Sequence, residues 1–136
     1  MSKAGHHHRR KEDTEVLLNR SVTCTTSYEG IHNWPEAPDE VAFLRNPHRH
    51  IFEVVVEITV DHDDRDIEFI MMKHQVDRWL SKHQDQNGVW EMGRQSCEDV
   101  AVKLLQHLHE VYPHRWISVS VYEDGENGCT VSNIVR

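Results

Sequence analysis

The stretch HRHIFEVVVEITVD, residues 48–61, decides the fold class because its side chains alternate between two faces. Successive side chains of a β-strand point to opposite faces, so a strand with one buried face is apolar at every second position. The even positions are apolar from Phe52 to Val60, whereas most odd positions are charged or polar. His48 and His50 begin the even series. The pattern therefore predicts that both imidazoles point toward the buried side of a strand.

The flanking sequence predicts further elements from periodicity, turn residues and capping signals. A helical period begins near Asp66, and a capping-box pattern of Ser96 with Asp99 begins a second helix that Pro113 closes. In chain order, we predict a strand at residues 22–34, a loop at 35–47, the strand at 48–61, a helix at 66–82, a loop at 83–95, a helix at 96–111, a strand at 116–123, a turn at 124–128 and a strand at 129–135.

The resulting order, ββααββ, predicts an α+β domain with a four-stranded antiparallel sheet and two helices on one face. This single domain spans residues 14–136. Residues 1–13, MSKAGHHHRRKED, are polar and predict a disordered tail. The His6–His8 run in this tail is either a loose metal binder, part of an added tag, or simply solvated, and we expect the last.

Composition excludes several classes of protein. The chain has 136 residues, 38% of them apolar, and a net charge of −8, which argues against sequence-independent nucleic-acid binding. No apolar run reaches the length of a membrane span or a signal peptide. The three cysteines, Cys24, Cys97 and Cys129, lack CxxC spacing and do not indicate a disulfide framework. We therefore expect a cytoplasmic protein that binds neither membrane nor nucleic acid.

The histidine pair predicts a metal site. His48 and His50, two residues apart on one strand face, have Cβ atoms roughly 7 Å apart and can converge on one ion. His32 lies on the even face of the preceding strand, near its end, and supplies a third imidazole if the two strands pair antiparallel. Three imidazoles leave a fourth position of Zn²⁺ open, as in catalytic sites. The alternative is two polar residues at a strand edge, but unpaired buried imidazoles would be unfavourable by several kcal/mol.

Glu123 is a second anomaly, because it continues the buried series Ile117, Val119, Val121. Either it lies just past the core at the strand end, or it binds a ligand. A carboxylate accepts two hydrogen bonds and matches the paired N–H donors of a guanine-like or pterin ring.

These residues together resemble the 6-pyruvoyltetrahydropterin synthase and 6-carboxytetrahydropterin synthase family over residues 20–131. Five motifs carry the resemblance. SYEGIH (residues 27–32) resembles a family strand that ends in Ala-Ala-His, and His48-Arg49-His50 resembles the family's His-Gly-His. Glu68-Phe69 with Lys73 resembles Asp-Phe with Leu-Lys, Gln95-Ser96-Cys97-Glu98-Asp99 resembles Pro-Thr-Ser-Glu-Asn, and Tyr122-Glu123 resembles the family's terminal strand motif.

The resemblance implies a tunnelling fold and a zinc-dependent lyase acting on 7,8-dihydroneopterin triphosphate or a related pterin, in a pterin or deazapurine (queuosine-type) pathway. It implies His32, His48 and His50 as zinc ligands, Ser96 and Cys97 at the border of the pterin, and Glu123 as its anchor. It further implies a barrel-forming homo-oligomer, a trimer or two stacked trimers, with each site at a subunit boundary.

The sequence departs from the family pattern in the proton-transfer residues. Leu44 stands where the family has a cysteine. Two residues are candidates to replace that cysteine: Glu40 in the same loop, and Cys97 as a displaced thiol. The catalytic Asp-His pair corresponds to Lys82-His83, which keeps the histidine, and Asp85 is the substitute for the missing aspartate. Arg45, Arg49 and Arg94 are the nearest cations for a triphosphate.

Three hypotheses follow. The first is a zinc-dependent lyase of this family. The second is a divergent relative that binds a pterin or purine ring with altered chemistry or none. The third is an oligomeric interaction module in which the histidines hold a structural metal. The other histidines, His62, His74, His107, His109 and His114, are expected to be solvated.

Overall fold

Two long antiparallel strands form the centre of the molecule. In the computed structural model, which describes residues 15–135, β1 (Arg20–His32) pairs with β2 (His48–Val60) along its whole length. The segment between them contains a short 3-10 helix, Asp39–Arg45, where the sequence predicted only a loop. The predicted tail, residues 1–13 with His6–His8, lies outside the described residues.

The remaining elements complete a mixed sheet with two helices. After β2 the chain forms α1 (Phe69–Ser81), β3 (Val89–Gly93), α2 (Cys97–Val111), β4 (Ile117–Glu123) and β5 (Asn127–Ser132). The sheet order is β3-β1-β2-β4-β5. β2 and β4 pair antiparallel, as do β4 and β5, whereas β3 runs parallel to β1.

The predicted α+β class and the order of the predicted elements are confirmed, but a four-stranded antiparallel sheet is wrong. The sheet has five strands because β3 lies within residues 83–95, which were predicted to be a loop. Val89, Trp90 and Met92 are buried, and this short apolar segment pairs with the end of β1. Parallel strands need a long crossover connection, and the chain between β1 and β3 contains β2 and α1.

The core confirms the strand parity of residues 48–61. Phe52, Val54, Val56 and Ile58 are fully buried on the even face of β2. Each such side chain contributes roughly 1.5–3 kcal/mol by leaving water. Residues of the two helices and of β4 complete the same cluster, among them Met72, Val76, Val100, Leu104, Leu108, Ile117, Val119 and Val121.

Side-chain caps fix where both helices begin. The Glu68 carboxylate accepts hydrogen bonds from the backbone N–H groups of Ile70 (3.0 Å) and Met71 (3.1 Å) at α1. At α2 the predicted capping box is confirmed: Ser96 Oγ accepts from the Asp99 N–H at 3.1 Å, and Asp99 accepts from the Ser96 N–H at 3.0 Å. The box anchors the start of α2 next to the end of β1.

Two further expectations concern the cysteines and membrane-spanning segments. Cys24, Cys97 and Cys129 are all free thiols. Among the described residues, neither helix has the length and apolar character needed to span a membrane.

Candidate metal centre and adjoining cavity

The pairing of β1 with β2 brings three histidines together at one end of the sheet. His32 lies directly opposite His48, and Gly30 lies opposite His50. The ring centroids are 4.5 Å apart for His32 and His48, 5.0 Å for His48 and His50, and 5.7 Å for His32 and His50. One ring nitrogen of each residue lies within 4.8 Å of the others. These three side chains form a group that could hold a metal ion.

The hydrogen bonds of these rings determine which nitrogen carries the proton. Nδ1 of His32 faces the Gln95 carbonyl oxygen at 2.9 Å, and Nδ1 of His48 faces the Asn46 carbonyl oxygen at 2.9 Å. Nδ1 of His50 faces a carboxylate oxygen of Asp124 at 2.7 Å. Carbonyls and ionised carboxylates only accept, so each Nδ1 carries the proton of its hydrogen bond.

The surroundings of the Nε2 atoms in two of these rings indicate whether a metal ion fits at this site. Nε2 of His32 and Nε2 of His50 are buried and make no hydrogen bond. An unsatisfied buried acceptor is unfavourable by about 1–3 kcal/mol. His32 is only 8% exposed, and burial lowers its pKa, partly offset by the hydrogen bond to Gln95. Three imidazole rings grouped in this way suit a divalent ion, so the donor set fits Zn²⁺.

Glu123 lies against the histidines rather than apart from them. It ends β4 opposite Phe52, and its side chain is 30% exposed. Oε1 lies 3.2 Å from Nε2 of His32, and Oε2 lies 3.3 Å from Nε2 of His50. The anomaly seen in the sequence thus corresponds to a half-buried carboxylate beside the candidate metal centre.

Asp124 also contacts this group of histidines, although the sequence predicted only a turn at its position. Its carboxylate binds His50 with Oδ2, and Oδ1 accepts the Ile51 N–H at 3.0 Å. Its own N–H donates to the Ile51 carbonyl at 2.8 Å. The φ of 53° places Asp124 in the left-handed region, which aspartate tolerates better than most residues. The hydrogen bond to His50 lowers the pKa of Asp124, so this carboxylate stays ionised.

A cavity of about 410 Å³ adjoins the cluster. His32 and His48 form part of its wall, together with Ser96 and Arg94 from the segment before α2. Leu44, at the position where the resemblance places a cysteine, also lines it. The cavity therefore offers an imidazole pair, a hydroxyl and a guanidinium, with an apolar side chain in place of a thiol.

Cys97 lies next to this site at the start of α2. Its Sγ is 3.9 Å from Oε1 of Glu123. Burial, and then the neighbouring Glu123 carboxylate, raise the pKa of the Cys97 thiol to about 12. The thiol is therefore protonated at neutral pH and is a weak nucleophile in this state.

Within one chain, five predicted site or loop residues do not line the cavity: Glu40, His83, Asp85, Cys97 and Glu123. His83 stacks on Trp90, with ring centroids 4.4 Å apart, and meets Trp79 edge-on at 4.5 Å. Burial, followed by the charges of nearby lysines, lowers the pKa of His83. The Asp85 carboxylate accepts the N–H groups of Asn87 and Val89 and so shapes the turn before β3. Glu40 is exposed in the 3-10 helix.

The three arginines expected near a triphosphate each pair with a carboxylate. Arg94 binds Glu36, Arg49 binds Glu29 at 3.1 Å, and Arg45 binds Asp39 at 2.8 Å. Of these arginines, only Arg94 lines the cavity.

Solved structures of known proteins share this architecture. A Plasmodium vivax 6-pyruvoyltetrahydropterin synthase, in a mutant whose catalytic glutamate is replaced by alanine, matches with a TM-score of 0.65 and 13% identity, over 88% of this chain and 100% of that one. The Plasmodium falciparum 6-pyruvoyl tetrahydropterin synthase matches with a TM-score of 0.65 and 16% identity over the same shares. An uncharacterised protein from Wolinella succinogenes matches with a TM-score of 0.60 and 12% identity, over 87% of this chain and all of that one.

At the level of sequence, no protein-family model matches the chain, and no curated protein matches it. Identities of 12–16% show a shared fold and nothing finer. The resemblance inferred from the sequence motifs is thus confirmed at the level of the fold.

Proposed function

We propose that this protein is a zinc-dependent lyase of the 6-pyruvoyl/6-carboxytetrahydropterin synthase type, acting on 7,8-dihydroneopterin triphosphate or a related pterin. The observation that carries the proposal is the convergence of His32, His48 and His50 on one point beside a cavity. The fold supports it, because the Plasmodium proteins that share the fold are named as 6-pyruvoyltetrahydropterin synthases.

His32, His48 and His50 would hold the metal ion. A bound Zn²⁺ would supply Lewis-acid chemistry, polarising hydroxyls of the substrate side chain so that the adjoining C–H and O–H bonds would be more acidic. Glu123 accepts the paired N–H groups of the pterin ring, as only a carboxylate can do with two oxygens. Ser96 offers its hydroxyl at the cavity wall, and Arg94 offsets part of the triphosphate charge.

One chain alone does not place a complete set of proton-transfer residues at the cavity. Because His83 and Asp85 do not line the cavity of their own chain, we propose that a neighbouring copy presents His83 there in a homo-oligomer. The lowered pKa of His83 keeps its imidazole neutral at pH 7, as a general base requires. Cys97, whose thiol keeps its proton, serves as a donor at the ring border.

Glu40 is the second candidate for the missing loop residue. The P. vivax structure described above carries a replacement of a catalytic glutamate. Glu40 and Leu44 share the 3-10 helix Asp39–Arg45, but Leu44 faces the cavity and Glu40 is exposed. Glu40 therefore reaches the site only if the 3-10 helix rotates so that Glu40 faces the cavity.

Specific observations also favour a second function, that of a divergent relative that binds the ring without the standard chemistry. Leu44 occupies the thiol position, Asp85 is engaged in a turn, and Cys97 is protonated. In this alternative the metal and Glu123 recognise a pterin or purine ring, and no triphosphate leaves. The third hypothesis, an interaction module with a structural metal, requires that no ring binds.

Turnover separates these functions. Purified protein loaded with Zn²⁺ is incubated with 7,8-dihydroneopterin triphosphate, and triphosphate release is followed by ion chromatography. We expect release that stops in the His48→Ala variant and after treatment with a chelator. If no release occurs at high protein concentration while a pterin still binds, the lyase proposal is wrong and the divergent relative is supported. Metal content without pterin binding would support the interaction module.

A further inference from the structure

Trp34 is a half-exposed tryptophan at the wall of the cavity beside the histidines. It is 47% exposed, whereas Trp79 and Trp90 are buried in the core. It lines the cavity of about 410 Å³ together with His32 and His48. A single exposed apolar side chain on an open surface is ordinary and needs no explanation. An indole at the wall of a cavity, in contrast, offers a broad flat surface to a molecule that enters.

The local sequence fixes the backbone that carries this indole. Pro35 restricts Trp34 to an extended conformation and occupies the second position of a β-turn, which the Ala37 N–H closes on the Trp34 carbonyl at 3.1 Å. The Trp34 N–H donates to the Leu44 carbonyl oxygen at 2.7 Å. The Asn33 N–H donates to the carbonyl oxygen of the last residue of β3 at 2.9 Å. A backbone held in this way reduces the entropy that is lost when a ligand packs on the side chain.

The cavity needs a group that holds the ring of a substrate inside it. Glu123, the proposed anchor of the ring, does not line the cavity. Apart from the two imidazoles, the apolar side chains of the wall are Trp34 and Leu44, and its other side chains are polar. Small-molecule sites typically combine apolar and aromatic walls with a few polar groups that fix orientation. Trp34 is therefore the wall residue best suited to contact the face of a ring.

Indole faces stack on planar heterocycles, and such stacking accepts any ring with a π-face. We propose that Trp34 stacks on the face of the substrate ring, a planar nitrogen heterocycle of the pterin or purine class, and makes the cavity selective for flat ligands. Glu123, whose Oε1 lies 3.2 Å from a ring nitrogen of the cavity-lining His32, is left to accept N–H groups at the edge of that ring. The inference rests on the proposed function, because it concerns the same cavity. It adds a residue that lies outside the five motifs of the family resemblance.

Calorimetric titration of the Zn²⁺-loaded protein with neopterin, and separately with guanosine, tests the stacking. The two ligands distinguish a pterin from a purine. We expect Trp34→Ala to weaken binding of the preferred ring about 5- to 100-fold, and Trp34→Phe, which keeps an aromatic face, to stay within about threefold of wild type. Phe43→Ala is the matched control, because Phe43 is an exposed aromatic residue of the same loop that does not line the cavity.

Two comparisons separate stacking from other effects of the substitution. Trp34→Leu keeps apolar bulk without a π-face, so its affinity for the ring should be close to that of Trp34→Ala. Inorganic triphosphate carries no ring, so its affinity should be the same in wild type and in every Trp34 variant. Circular dichroism and urea unfolding show that each variant has folded.

Three results would overturn the inference. They are an unchanged ring affinity in Trp34→Ala, an affinity of Trp34→Leu equal to that of Trp34→Phe, and an equal loss of ring and triphosphate binding in Trp34→Ala. If wild type still releases triphosphate from its substrate in any of these cases, only the role of Trp34 is wrong. Ring binding that depends on Trp34 in a protein that releases no triphosphate would support the inference and contradict the lyase. A metal-loaded wild type that binds neither ring would contradict both proposals.

Discussion

At the scale of single residues, the orientation of His50 depends on the residue that follows Glu123. Asp124 and Glu123 face opposite nitrogens of the same imidazole, with Asp124 at Nδ1 and Glu123 at Nε2. A carboxylate hydrogen-bonded to the outer nitrogen of a ligating histidine fixes its tautomer and increases its basicity. In the proposed metal centre, Asp124 is thus a positioning residue for His50.

We expect Asp124→Ala to lower the affinity for Zn²⁺ by about 10- to 100-fold, because His50 loses the partner that orients it. Asp124→Asn keeps a hydrogen-bonding oxygen without the charge, so its Zn²⁺ affinity should fall between those of Asp124→Ala and wild type. Competition with a chromophoric chelator measures both affinities. Equal affinity in Asp124→Ala and in the control Glu126→Gln would show that Asp124 has no part in metal binding.

The sequence alone predicted the cluster of three histidines but not Asp124. Strand parity is a local pattern, so it places His48 and His50 on one face and His32 on the matching face of a neighbouring strand. The contact between His50 and Asp124 joins residues 74 positions apart and depends on the turn after β4. Such a contact leaves no periodic signal. The position of Glu123 against the rings was also beyond the sequence, which indicated only a buried carboxylate.

At the scale of elements, the close approach of β1 to its neighbours depends on Gly30. A methyl group at this position would stand 2.7 Å from Met92 Sδ and 2.9 Å from a ring carbon of Phe52. We expect Gly30→Ala to lower the free energy of unfolding by about 1–3 kcal/mol, since overpacking displaces buried side chains.

Urea unfolding measures this change, and Ser27→Ala on the exposed face of β1 is its control. A Gly30→Ala variant as stable as wild type would mean that Phe52 and Met92 move aside freely. The same variant should also weaken metal binding, because Gly30 pairs with His50.

Asp66 links the segment before α1 to the segment before β4. It accepts a hydrogen bond from Arg115 at 2.8 Å and another from the Asp61 N–H at 2.8 Å. These contacts, the Arg115 hydrogen bond first, lower the pKa of Asp66 to about 2 from its ordinary value of 3.8. The folded-state pKa is below the unfolded one, so the stabilisation is full above about pH 4 and is lost as the pH falls toward 2.

We therefore expect Asp66→Asn to be less stable than wild type at pH 7, with a difference that shrinks between pH 4 and pH 2. Thermal unfolding across this range gives the measurement. Asp64→Asn, which removes a pair between exposed side chains, is the control and should show little effect at any pH. A difference that stays constant down to pH 2 would contradict the assignment to Asp66.

The capping box of α2 and the failure to predict β3 show what the sequence can specify about elements. The side chains of Ser96 and Asp99 each accept the other residue's backbone N–H. Their spacing of three residues was therefore enough to predict where α2 begins. Residues 89–93 form a strand because β1 offers an edge, and Val89, Trp90 and Met92 are buried there. A segment of only five residues between polar segments is too short for an alternation of apolar and polar residues to predict that pairing.

At the scale of the whole molecule, the sheet ends in two edge strands, β3 and β5. Exposed edges offer unpaired backbone groups, and closure with further copies removes them. We expect an assembly with three or six times the chain mass of 16.0 kDa, measured by light scattering after size exclusion. A 16.0 kDa particle with full triphosphate release would contradict the proposal that a neighbouring copy supplies His83.

The measurement that tests the account most directly is the metal content of the folded protein. Samples are dialysed against a weak chelator and analysed by mass spectrometry, and a variant with His6, His7 and His8 replaced by alanine removes any contribution of that run. We expect one metal ion per chain in wild type and in this variant, and none in folded His48→Ala. A wild type that binds no metal, or a His48→Ala variant that retains it, would contradict the account.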